Sequence, residues 1–194
     1  AWTKNYFTWT NPTLLTNQQT VLLRNAQVYT DVVRYNTTTS NEYFLCENRQ
    51  QTGFDVGIPG HGMLIYHVDG NYISTHLNSN DINAGSHQGL YQKAANSTNG
   101  SGVSTSSSSK INTSGCPWPG TSNKTTFTDA TTPHSKSWAG ANTTKPLTNI
   151  AENTATKEVT FCFIACSSPD DPTNFTATAA SGSQINLAWG LNSS

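Results

Sequence analysis

Two apolar segments, "NEYFLCENRQ" at 41–50 and "GMLIYHVD" at 62–69, constrain the fold more than anything else in the chain. Each is about eight residues long, rich in aromatic and branched side chains, and free of proline, which fits a strand and is too short for a buried helix. The connection "QTGFDVGIPGHG" is punctuated by glycine and proline, so the pair reads as a hairpin with a long loop. Further strands are expected at about 19–24, at 27–35, in "KPLTNI" and in "EVTFCFIAC". Helix signals are weak, with a helix conceivable only near the start or at 85–95. Charged residues make up 11% of the 194-residue chain, against about 25% in an average domain. Thr, Asn, Ser and Gly supply the polar surface, as strands joined by turns require. The expected fold is all-β, an antiparallel β-sandwich with long irregular loops, and a domain of this length has enough core to fold without a metal.

Charge also limits the partners. Ten Lys and Arg against eleven Asp and Glu give a net charge of −1, which builds no field for nucleic acid or an anionic membrane. No apolar run reaches the ~18 residues a transmembrane helix needs. "AANSTNGSGVSTSSSSKINTSG" at 94–115 reads as a low-complexity surface loop. The four cysteines, Cys46, Cys116, Cys162 and Cys166, have no zinc-knuckle spacing and are expected in an oxidising, extracellular setting. Cys162 and Cys166 would lie ~13 Å apart on a regular strand. A disulfide needs under ~7 Å, so these two are not expected to pair. Bridges to Cys46 or Cys116 stay open, as does Cys46 as a buried thiol.

His61 and His67 raise the question of a zinc hydrolase. They are six positions apart on extended chain, ~20 Å, with no glutamate between them, and so cannot share one ion. A turn for His61 and a strand end for His67 explain them better. Glu47 and Arg49 share one strand face and suit a salt bridge, while Glu42 belongs to the opposite face. Asp69, Asn71, Asp81 and Asn83 are hard oxygen donors of the kind calcium takes, although ordinary turns use the same residues. No cofactor is required, and calcium is the one ion the sequence suggests. Trp118 in "CPWPG", Trp138 in "SKSWAG", Tyr72 and Tyr91 are aromatics that could stack on sugar rings. A carbohydrate-binding module built on them is one reading of the chain. No nucleophile elbow, phosphate loop or dinucleotide fingerprint occurs.

Beyond Cys166 the character changes. "SSPDDP" reads as a linker, and "NFTATAA" with "SQINLAW" as two alternating strands ending at Trp189. This resembles the opening of a fibronectin type III domain, truncated after two strands. The chain is thus expected to divide into 1–166 and 167–194.

Residues 1–166 are similar to another known region. "AWTKNYFTWTNPTLL" resembles the "AW-K--LGW--P--L" segment that follows the catalytic core in secreted bacterial zinc metallopeptidases of the immune-inhibitor-A type. "NEYFLCENRQQTGFDVGIPGHGMLIYHVD" resembles their "EYFLLENRQ--G-D--LPG-GLLIWHVD". "CPWPGTSNKTTFTDATTP" and "LTNIAENTATKEVTFCF" resemble their later segments. The H-E-x-x-H motif that binds zinc in that family has no counterpart here. The resemblance therefore implies a secreted, non-catalytic accessory β-domain. It would pack on the catalytic domain of the same polypeptide or contact a protein or glycan substrate.

Overall fold

The computed structural model describes residues 1–101, 110–166 and 173–190. The expected linker at 167–172 and the centre of the low-complexity loop lie outside them. In chain order the elements are α1 (Trp2–Tyr6), β1 (Thr13–Leu14), β2 (Gln19–Leu23), β3 (Val32–Asn36), β4 (Glu42–Arg49) and β5 (Gly62–Asp69). They continue with α2 (Gly70–His76), β6 (Leu90–Gln92), β7 (Leu147–Asn153), β8 (Glu158–Phe163), β9 (Thr173–Ser181) and β10 (Gln184–Gly190). The fold is all-β. One sheet has the order β1-β3-β4-β5-β6, a second β2-β8-β7, and β9 with β10 forms a two-stranded sheet. All pairings are antiparallel except the short β1–β3 pair.

The core explains why β4 and β5 read as continuous apolar runs: the sheet they belong to is covered on both faces. One face carries Val33, Tyr35, Phe44, Cys46, Met63 and Ile65 against Val21, Leu23, Leu147, Ile150, Phe161 and Phe163 of the second sheet. The other carries Val32, Tyr43, Leu45 and Val68 against Ile73 of α2, with Trp2 of α1 and Leu90 packed beside them. Truncating a ring such as Phe44 in the first layer would cost about 3–5 kcal/mol. By contrast the edge strand β7 buries only Leu147 and Ile150, three positions apart across a register shift between Thr148 and Ala151, and leaves its other residues partly or fully exposed. Polar groups also stitch the sheets. The fully buried Asn48 amide donates to the Leu23 and Lys157 carbonyls, at 2.9 Å each, and its oxygen accepts from Gln50. Gln50 in turn donates to Glu152, which also holds His61 at 2.7 Å. His61 is therefore a brace between sheets, not half of a metal site with His67.

Three local expectations need correction. Cys162 and Cys166 form a disulfide with Cα atoms 4.9 Å apart. Strand β8 ends at Phe163 and Ile164 turns into the left-handed region at φ 66°, so the ~13 Å extended spacing does not apply. Of the alternatives left open for Cys46, the structure takes the buried thiol; Cys116 is likewise buried and free, and burial raises both, Cys116 to about 12. A helix forms at 70–76, where the sequence shows little pattern, while 90–92 is a strand. Trp118 is 0% exposed, with its indole N–H donating to the Lys93 carbonyl at 2.8 Å. It is a core residue and offers no surface to a sugar. Gly62 allows its approach, since a Cβ there would sit 2.7 Å from the Trp118 carbonyl oxygen.

Candidate functional site

Strand β4 places Glu42 on the face that carries Phe44 and Cys46, and register aligns Phe44, His67 and Tyr91 across β4, β5 and β6. His67 is buried, and one ring nitrogen, Nε2, lies 2.6 Å from Glu42 Oε1 while Nδ1 lies 2.8 Å from the Tyr91 hydroxyl. The ionised carboxylate can only accept, so the neutral ring carries its proton on Nε2 and Nδ1 accepts from Tyr91. Burial pushes the His67 imidazole down to about 4, against the opposing pull of Glu42, and keeps it neutral at pH 7. Burial opposes ionisation of Glu42, but the His67 contact and the Trp138 backbone N–H, 2.6 Å away, outweigh it and hold the carboxyl below its ordinary range.

That backbone contact ties down a long strap running from Phe127 to Leu147. Asp129 organises the strap from within: Oδ1 accepts from Ser135 Oγ and from the Thr143 N–H and hydroxyl, and Oδ2 from the Thr144 N–H. Trp138 is thereby set edge-on against Tyr91, 5.7 Å between ring centres. Its other neighbour is His87, stacked at 4.2 Å, followed by Tyr72 at 4.2 Å and His76 at 3.8 Å. Tyr72 and His76 are one helical turn apart on α2, which is why they share a face. Asp69 starts that helix, accepting from the Asn71 and Tyr72 N–H groups, and its second oxygen meets His87 Nε2 at 2.9 Å. The column of four half-buried rings thus joins Trp138 and Tyr72, while Tyr91 is buried beneath it and Trp118 lies elsewhere. His76 and His87 were not singled out from the sequence; the i, i+4 spacing of Tyr72 and His76 signals them only once α2 is known.

The four calcium donors are not brought together as a set of free oxygens. Asp69 caps α2, Asn71 bonds Asn41 and the Ser40 carbonyl, and Asn83 makes both an N–H and a carbonyl contact with Leu90. Asp81 keeps one buried oxygen without a partner. Among the described residues no group of three His, Cys, Asp or Glu is arranged to hold a metal ion. Nor is any helix among them long and apolar enough to cross a membrane.

The opposite sheet face floors a cleft of about 450 Å³, lined in part by Trp2, Trp9, Glu47, Arg49, Ile58 and Tyr66. Glu47 is buried there. Its Oε1 accepts from the Tyr66 hydroxyl at 3.1 Å and the Ala1 nitrogen at 2.8 Å, whereas Oε2 has no hydrogen-bond partner. Arg49 stands 3.8 Å from Glu47 but makes its shorter bond, 2.6 Å, to Asp55. The expected Glu47–Arg49 pair is thus present as the weaker of two contacts. At the mouth, Trp2, Tyr6, Phe7 and Trp9 form a ladder of rings 5.1–5.5 Å apart. Tyr6 and Phe7 are each 53% exposed and Trp9 70%. Val28, Tyr29, Phe54 and Val56 are also exposed; Lys4 of α1 donates to the Ala26 carbonyl and the Gln27 side chain accepts from the Phe54 N–H, which links these two loops to α1. Compared with family models, with curated proteins and with solved structures, the chain matches none.

Proposed function

We propose that this chain is a non-catalytic accessory β-domain of a secreted zinc metallopeptidase of the immune-inhibitor-A type, and that its aromatic face docks on the catalytic domain that precedes such regions. The observation that carries the reading is the exposed ladder of Tyr6, Phe7 and Trp9 at the mouth of the 450 Å³ cleft. Contiguous exposed apolar surface of this kind marks an interaction site, and polypeptide joined before Ala1 would leave from this same face, since Ala1 lines the cleft. The Cys162–Cys166 disulfide fits an oxidising, extracellular compartment. The non-catalytic part is supported by the burial of His67 and Glu42, which keeps that hydrogen-bonded pair away from any substrate.

The test mixes this chain with a separately produced immune-inhibitor-A-type catalytic domain. Co-elution in size exclusion is expected, weakened at least ten-fold by a Phe7→Ser/Trp9→Ser double substitution. Hydrolysis of casein by the chain alone, abolished by a chelator, would overturn the reading. The ring column ending in Trp138 favours carbohydrate contact as a second reading.

A further inference from the structure

Alternation along β6 sends Leu90 and Gln92 to the cleft and Tyr91 and Lys93 to the other side of the sheet. There the second sheet does not cover the edge. The strap and the segment 94–101 do, with His134 N–H bonded to the Gly100 carbonyl. Between them lies a cavity of about 220 Å³, lined by Ser86, Tyr91, Lys93, Ser101, His134, Ser137, Trp138 and Gly140.

Lys93 is the anomaly. It is 1% exposed, yet no carboxylate lies within ion-pair distance among the described residues. Its one hydrogen-bond partner among them is the Ser101 carbonyl, and its ammonium sits 5.1 Å from the centre of the Tyr91 ring. Buried charges are normally paired, because leaving water costs several kcal/mol that only a counter-ion recovers. The carboxylate nearest in chemistry, Glu42, is already committed to His67 and the Trp138 N–H. A second donor waits at the same cavity: His134 Nδ1 is buried without a partner. Lys136 adds positive charge on the strap, and Asp129 is occupied by strap N–H and hydroxyl groups. Two aromatic walls, Tyr91 and Trp138, and three serines complete a lining suited to a ring with hydroxyl groups.

We propose that this cavity binds a sugar bearing a carboxylate, with the Lys93 ammonium as counter-ion, His134 Nδ1–H as a second donor and the half-buried Trp138 as the wall against which the ring lies, above the buried Tyr91. The inference is independent of the docking reading, since it uses the opposite face of the sheet. Burial lowers the Lys93 amine to about 7, opposed by Glu42. An anion beside it raises that value again, so binding above neutral pH draws a proton from solution.

Isothermal titration of the intact chain at pH 7.5 tests this, with D-glucuronate, D-glucose and acetate as probes and two buffers of different ionisation enthalpy. Glucuronate should bind at least ten-fold tighter than either comparator, with net proton uptake. Lys93→Met, of similar length and apolar, should lose at least ten-fold in affinity while keeping its circular dichroism. Equal affinity for glucose and glucuronate, or binding without proton uptake, overturns the counter-ion role. Equal affinity for acetate overturns the sugar. The three wild-type titrations decide even where Lys93→Met fails to fold.

Discussion

Glu42 and Glu47 belong to the same strand and, an odd number of positions apart, point to opposite faces of the same sheet. Both are buried carboxylates, yet they are used differently. Glu42 is met by an imidazole and a backbone N–H with near-ideal distances, and it closes a network of His67, Tyr91 and the strap. Glu47 floors an open cleft, where one oxygen has no hydrogen-bond partner and Lys4 is 4.0 Å away. The comparison separates a buried carboxylate that closes a network from a buried one that keeps one oxygen without a hydrogen-bond partner at the floor of a cleft. The same division holds for the aromatics: Trp118 and Tyr91 are inside, whereas Trp9, Phe7 and Tyr6 are half or more exposed and pair ring to ring only within their own ladder among the described residues.

The sharpest way to break this comparison is to remove each acid in turn. Glu42→Ala leaves His67 and the Trp138 N–H without their acceptor and should cost about 3 kcal/mol in denaturant unfolding. Glu47→Gln should cost about 1 kcal/mol, because the amide oxygen still accepts from the Ala1 nitrogen and the Tyr66 hydroxyl and Arg49 retains Asp55. Similar losses for both would erase the distinction.

Titration sharpens it next. His67 is held at about 4 in the folded chain and returns to about 6.5 on unfolding. Between these values the unfolded state binds the proton and the folded state does not. Stability therefore falls as pH drops from 6.5 to 4, by up to about 1.4 kcal/mol per pH unit from this group. Lys93 works in the same direction at higher pH: lowered to about 7, it makes stability rise as pH climbs from 7 towards 10.5. The slope difference between wild type and His67→Gln over pH 4–6.5 checks the first; an unchanged slope would show that His67 is not buried neutral.

Cys166→Ser opens a loop of only four residues' separation, so its cost should be no more than about 2 kcal/mol, and the core should survive it. The smallest effect is expected on the outer face. Phe7→Ser and Trp9→Ser should each change stability by under about 0.5 kcal/mol, because neither ring is packed in the core.

How far the sequence foretold this follows from which interactions are local. The hairpin of β4 and β5 was legible because apolar runs bounded by Gly and Pro admit few other structures, and the opposite facing of Glu42 and Glu47 follows from alternation alone. The β9–β10 hairpin was equally plain from its alternation. What stayed hidden depends on distant chain. The seven-residue α2, with Gly, Asn and β-branched residues, is held by the Asp69 cap and by Ile73 packing on Val68, which periodicity does not reveal. The Cys162–Cys166 bridge depends on one left-handed residue, Ile164. The burial of Trp118 depends on Gly62, more than fifty positions earlier, and the backbone donor to Glu42 and the acceptor for Lys93 come from the strap and from segment 94–101. In each case the pattern of residue types was compatible with two environments, and tertiary packing chose.

The most direct test of the docking account is hydrogen–deuterium exchange across residues 2–9, compared between this chain alone and the chain bound to an immune-inhibitor-A-type catalytic domain. The account predicts strong protection of that segment in the complex and little change around Glu42, His67 and Lys93. Unchanged exchange at 2–9 in a complex that does form would contradict it.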